Sequence, residues 1–213
     1  MTPDAHTDSD HGKPRCSPDE ALARLVAGHE RFLKGTPRYA AMTREQLEDL
    51  AKGQRPYATI LGCSDSRVPP EIIFDAGPGE LFVIRVAGNV LSPEVAGSLQ
   101  YAGRHLKTPL IVVLGHEHCG AVKAALESER EGIQHLSRIQ ILVDSILPAV
   151  ASVDHRLPPE TQLTHAVEAN VRLAVRTIQE SPEGRARALE GTMKLVGAIY
   201  EIATGRVRML DAG

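Results

Sequence analysis

Two short stretches of this 213-residue chain gather residue types that do chemistry: Cys63-Ser64-Asp65-Ser66-Arg67 and His116-Glu117-His118-Cys119. Soft thiolates, an imidazole and a carboxylate make a donor set suited to Zn²⁺ in tetrahedral geometry. In His116-x-x-Cys119, one turn at a helix start lets both side chains converge on a point. The partial positive charge of that helix end favours the thiolate of Cys119. A single buried cysteine is ordinarily a small hydrophobe, so Cys63 becomes a ligand candidate through its placement beside the second stretch. Asp65 and Arg67, two residues apart, suit a bidentate ion pair. Read as structure, the pair is a salt bridge bracing a loop. Read as function, it is a switch, because one carboxylate cannot both ligate zinc and leave the fourth position open for water. His118 points differently from its neighbour Cys119 in a tight turn, which makes it a surface residue or a proton relay rather than a second ring ligand.

Each stretch follows an apolar, β-branched run, Tyr57 to Gly62 and Leu110 to Gly115, and so reads as the carboxyl end of a buried strand. Two adjacent parallel strands would deliver Cys63, Asp65, His116 and Cys119 to one crevice. The fold class expected is α/β, a central, mainly parallel sheet of four to five strands flanked by helices. Leu81 to Val86 reads as a second buried strand, and Lys194 to Ile202 with Arg206 to Leu210 as a strand and a hairpin return at the sheet edge. Ser17-Pro18-Asp19-Glu20 is a capped helix start whose helix ends at Gly35, and Thr43-Arg44-Glu45-Gln46 repeats the pattern up to Gly53. Ser92-Pro93-Glu94 and Cys119-Gly120-Ala121 open two more helices. Helical patterns cover Gln134 to Val153 and Pro159 to Gln179. Gly77-Pro78-Gly79 is a turn, since no Lys-Ser/Thr follows at phosphate-loop spacing.

Length allows one α/β domain with a substantial core. With 42% hydrophobic but only 3% aromatic residues and no Trp, that core must be packed by Ala, Val, Leu and Ile. A net charge of −3 gives no nucleic-acid footprint, and no apolar run approaches the roughly 18 residues of a membrane span. Residues 1–16 are polar and read as a disordered or arm-like tail in which His6 and His11 are solvated, and residues 17–213 form the single domain. Three cysteines make no disulfide framework. Cys16 reads as a free thiol of a reducing compartment, and the amino terminus lacks a basic and apolar leader, so the cytoplasm is expected.

Cys-x-Asp-x-Arg followed about fifty residues later by His-x-x-Cys-Gly resembles the signature of the β-class carbonic anhydrases. Gly53-Gln54-x-Pro56, Val68-Pro69-x-Glu71, Gly79-Glu80-Leu81-Phe82-Val83-x-Arg85, Ala87-Gly88-Asn89 and Tyr101-Ala102 match family patterns in order, from about Ser17 to Leu210. The resemblance implies one Zn²⁺ per chain held by Cys63, His116 and Cys119, with Asp65 as fourth ligand in a closed state. It implies CO₂ and bicarbonate as substrates, zinc hydroxide as nucleophile and an Asp65/Arg67 catalytic dyad. Gln54, Phe82, Ala87, Tyr101 and Gly120 map to the substrate pocket. Gln54 maps to a position that reaches the neighbouring subunit's site, so a homodimer or homotetramer with the site at the dimer interface is expected. Because two thiolates cancel the ion's charge, the bound water should ionise above the roughly 7 of three-imidazole sites, and activity should rise with pH through the neutral to alkaline range.

Two departures from the family pattern bear on function. Ile60 stands three residues before Cys63, where a Trp helps build a second bicarbonate pocket in some relatives, so despite Arg85 no strong bicarbonate inhibition is expected. Glu117 stands where a small polar residue is usual and is expected to add charge near the site. Hydrolysis of CS₂ or COS on the same fold is the alternative enzyme reading. A structural zinc stapling a binding module is the alternative from another class.

Overall fold

The computed structural model describes residues 16–38 and 42–211. The tail reading, with His6 and His11, therefore lies outside the described residues except at Cys16. In chain order the elements are α1 Pro18–Leu33, α2 Arg44–Leu50, β1 Ala58–Gly62, α3 Pro70–Ile73, β2 Leu81–Arg85, a 3₁₀ turn Ala87–Asn89, α4 Pro93–Arg104, β3 Leu110–His116, α5 Gly120–Glu131, α6 Arg138–Val150, α7 Pro159–Glu180, α8 Pro182–Leu189, β4 Lys194–Tyr200 and β5 Val207–Met209.

The sheet runs β2-β1-β3-β4-β5, parallel except for β5, which returns antiparallel against β4 as the hairpin reading anticipates. β1 and β3 are buried at every position. Their period-2 geometry sorts the apolar side chains to two faces. Leu61, Ile111 and Val113 join the core under α5, α6 and α7. Ala58, Ile60, Leu110, Val112 and Leu114 join the core with Leu25 of α1 and Ile73 and Phe74 around α3. Continuous apolar runs are what such doubly covered strands require.

Helix starts form where the capping residues stand. Ser17 Oγ accepts from the Glu20 amide while Glu20 accepts from the Ser17 amide, and Thr43 and Gln46 repeat the exchange. Three expectations need correction. β2 is only half-buried, because it is the edge strand of the sheet and among the described residues pairs with β1 alone. The helical stretch expected from Gln134 starts at Arg138, after a left-handed Gly132 has closed α5 and a positive-φ Ser137 has redirected the backbone. An additional helix, α8, lies between α7 and β4, started by Ser181, whose hydroxyl accepts from the Gly184 amide. Among the described residues, no helix is long and apolar enough to cross a membrane.

Candidate metal centre

The order β2-β1-β3-β4-β5 makes β1 and β3 neighbours whose following segments leave to opposite faces, β1 into α3 and β3 into α5. Crevices open at the carboxyl ends of strands where connections diverge in this way. Cys63 follows the last residue of β1, His116 ends β3, and Cys119 caps α5. His118 takes a left-handed backbone conformation, φ 53°, in the turn that brings Cys119 back beside His116.

The two sulfurs lie 4.0 Å apart, and one donor atom from each of Cys63, His116 and Cys119 lies within 4.8 Å of the others. A tetrahedral zinc with Zn–S bonds of about 2.3 Å would set two sulfurs about 3.8 Å apart. His116 Nδ1 is 2.8 Å from the Glu117 carbonyl, to which its N–H donates, leaving the Nε2 lone pair free. That Nε2 is buried without a hydrogen-bond partner, an arrangement that a metal ion satisfies.

The charges point the same way. The Cys119 thiol donates to Cys63, and with the amide of Gly88 at 3.3 Å this holds the Cys63 thiol below its ordinary range against the opposing effect of burial. The same donated hydrogen bond, together with burial, pushes Cys119 far up. Two sulfurs this close cannot both carry charge unless a cation lies between them, and the donor types and their spacing fit Zn²⁺.

Asp65 stands beside this cluster with Oδ2 3.9 Å from His116 Nε2. Arg67 holds it away: Nε donates to Oδ1 at 2.9 Å, Nη2 to Oδ2 at 2.7 Å and the Arg67 amide to Oδ1 at 3.0 Å. The Arg67 side chain keeps the Asp65 carboxyl well below the usual carboxylate range. The structure thus has three donors in the cluster and the carboxylate clamped next to it.

Sequence reasoning did not place the residues that hold this loop. Arg85 donates from Nε to the Cys63 carbonyl at 3.0 Å and from Nη2 to the Asp65 carbonyl at 2.6 Å. Gly88 (φ 68°) turns its amide onto Cys63, and Asn170 of α7 donates to the Gly88 carbonyl at 2.8 Å. The Ala87-Gly88-Asn89 triplet was the available signal, since a glycine needing positive φ marks close backbone approach. Glu117, expected to add charge near the site, has a carboxylate that accepts from the Ile202 amide at 3.0 Å and so ties the end of β3 to the segment after β4.

Of the pocket candidates, Ala87 lies in the 3₁₀ turn and Gly120 directly follows Cys119, both next to the cluster along the chain. The structure does not bring the other three to it. Phe82 pairs with Thr59, four residues before Cys63, so it sits about 13 Å down the strands. Its ring lies 6.1 Å from that of Tyr101, which is 47% exposed. Gln54 is exposed and precedes β1, at the strand end opposite the cluster.

Comparison with known proteins matches residues 58–207 to the family model described as carbonic anhydrase. The chain is 37% identical over 206 residues to carbonic anhydrase 2 of Mycobacterium tuberculosis, covering 93% of this chain and 95% of that protein. It is 38% identical over 204 residues to the carbonic anhydrase of Mycolicibacterium smegmatis, covering 92% and 95%. Among solved structures, the β-carbonic anhydrase CcaA superposes with a TM-score of 0.70 at 31% identity, over 90% of this chain and 88% of that one.

Proposed function

The chain belongs to the β-class of the carbonic anhydrase family, and on that premise we propose that it interconverts CO₂ and bicarbonate at the Cys63, His116 and Cys119 centre with zinc as its metal. The observation that carries this is the buried, unpartnered Nε2 of His116 beside two sulfurs 4.0 Å apart. Zinc bound there supplies the Lewis acidity that brings a water molecule's pKa toward the working range.

The chain's own residues orient the reactants. Asp65, ionised and acceptor-only, takes a hydrogen bond from the O–H of the attacking water and so turns an oxygen lone pair toward the substrate carbon. Arg67 is a positioning residue: its fork fixes both carboxylate oxygens and keeps Asp65 off the metal position. Ala87 and Gly120 border the space for CO₂. The clamped carboxylate is what separates this reading from a purely structural zinc, for which a closed site of Cys and His suffices.

The pocket is completed by a second copy of the chain. Gln54 and Phe82 are too far along β1 and β2 to serve their own cluster and Tyr101 of α4 packs beside Phe82, yet Gln54 and Tyr101 are exposed, as residues presented to a partner's site must be. Gln54 then donates to a substrate oxygen across the interface. Cytoplasmic residence fits the thiol at Cys16.

Zinc content and stopped-flow CO₂ hydration of the wild type, Cys63→Ser and Asp65→Asn test the proposal together. Cys63→Ser loses metal and activity. Asp65→Asn keeps both metal and fold but loses at least a hundredfold in kcat/KM. An Asp65→Asn protein that unfolds yet turns over normally per folded molecule overturns the catalytic role.

A further inference from the structure

A cavity of about 630 Å³ lies between α4 and α8 on the face of the sheet that carries α7, within the range of small-molecule sites. It meets β3 at Ile111 and β4 just before its start, at Met193. The metal cluster is at the other end of those strands, about 17 Å away along β3. The interior is apolar, formed by Leu99, Ile111, Ile178 and Met193, and Arg187 of α8 closes one side.

Arg187 is the unusual component. It is half-buried, its Nη2 donates to the Thr108 carbonyl at 2.6 Å, and among the described residues it forms no ion pair. Burial pushes its pKa down, with only the more distant field of Glu190 opposing. Room for it is made by Gly103, within α4: a Cβ there would stand 2.4 Å from Arg187 Nη1 and 3.1 Å from its Cζ. A glycine inside a helix costs about 1 kcal/mol relative to alanine, and here it admits a desolvated guanidinium to an apolar cavity. The walls carry one cation in excess, Arg104, Lys107 and Arg187 against Glu183 and Glu190.

We propose that this cavity binds a small organic monocarboxylate, its apolar body on Leu99, Ile111, Ile178 and Met193 and its carboxylate paired with the Arg187 guanidinium. The fork geometry of Arg matches a carboxylate bidentately. An anion in that place would give the Arg187 guanidinium the direct ion pair that it lacks among the described residues.

Titration calorimetry on the zinc-loaded full chain with hexanoate, hexan-1-ol and acetate tests it. Hexanoate binds one per chain, with hexan-1-ol and acetate at least tenfold weaker. Arg187→Met, which keeps the stem and removes the charge, weakens hexanoate at least tenfold, and Arg187→Lys recovers part of the loss. Ala96→Leu narrows the cavity from α4 without touching Arg187, so it gives a second reading if Arg187→Met does not fold, and it too must weaken hexanoate. No binding of hexanoate overturns the proposal. So does hexanoate affinity unchanged in both Arg187→Met and Ala96→Leu, which places binding outside this cavity, or acetate affinity equal to that of hexanoate, which removes any role for its apolar wall.

Discussion

Replacing Gly88 by alanine perturbs the backbone that touches the metal ligands, and the size of the effect follows from the surroundings. Gly88 has φ 68°, a left-handed conformation that costs an alanine about 1–2 kcal/mol. The new Cβ would stand 2.7 Å from Ile146 Cδ1 and 3.1 Å from the Ala121 Cβ. The isoleucine tip can rotate aside but Ala121 sits on a helix, so overpacking adds toward the low end of about 1–3 kcal/mol. The sum, about 2 to 4 kcal/mol, corresponds to a Tm lower by roughly 5 to 15 °C for a chain of this size. Any shift of the turn also moves the amide that donates to Cys63, so zinc affinity should fall about 10- to 100-fold. Gly97→Ala is the control: Gly97 lies in α4 with ordinary φ, and its added methyl group would meet nothing within 4 Å, so alanine there should stabilise by about 0.5 to 1 kcal/mol. Calorimetric scans at fixed protein concentration and competition with a zinc chelator read both effects. If Gly88→Ala and Gly97→Ala shift Tm alike, the left-handed turn does not hold the site as described.

Mixing Cys63→Ser chains with Gln54→Ala chains should regain activity above either parent, because a hybrid dimer pairs an intact metal cluster with an intact partner Gln54; mixtures no better than their parents would place Gln54 outside the site. Removing the metal should raise the count of thiols that a disulfide reagent reaches, since Cys63 and Cys119 are free of any disulfide and only their burial then slows them. An unchanged count on chelation would mean that the sulfurs do not hold the ion. Acid should destabilise the fold through Asp75 and Asp65. Burial pushes Asp75 up, but Arg31 and the Arg38 amide outweigh it and hold it low; Arg67 holds Asp65 low. For carboxyls lowered on folding, stability is complete above the unfolded value of about 3.9 and is lost as pH falls through the folded value. Urea midpoints should therefore be flat from pH 8 to 5 and drop below about 4, with a smaller drop in Asp75→Asn.

The parts legible in the sequence were those set by local pattern and side-chain chemistry. Ser17 and Thr43 announced their helices because a capping box is satisfied within four residues, and the runs before Cys63 and His116 announced strands covered on both faces. Cys63, His116 and Cys119 were legible as a ligand set because donors following two strands of one sheet have few other places to meet. What escaped was decided by tertiary contact. Nothing local tells that β2 lies at an edge, that Glu117 reaches across to the Ile202 amide, or that Arg85 spends its guanidinium on two carbonyls of the ligand loop. The α8 helix was missed although Ser181-Pro182-Glu183 carries a start signal, because eight residues give too short an apolar period to register.

The neighbouring placement of β1 and β3 also bears on how the protein matures. Gly62 lies beside Leu114, so the first sulfur and the imidazole are juxtaposed only after a loop of about fifty residues has closed, a slow, entropically opposed event compared with forming any single helix. Newly made chains consequently offer the ion no complete set of donors until the centre of the sheet has zipped. A metal ion that needs all three donors is therefore held completely only once that one strand pair has formed.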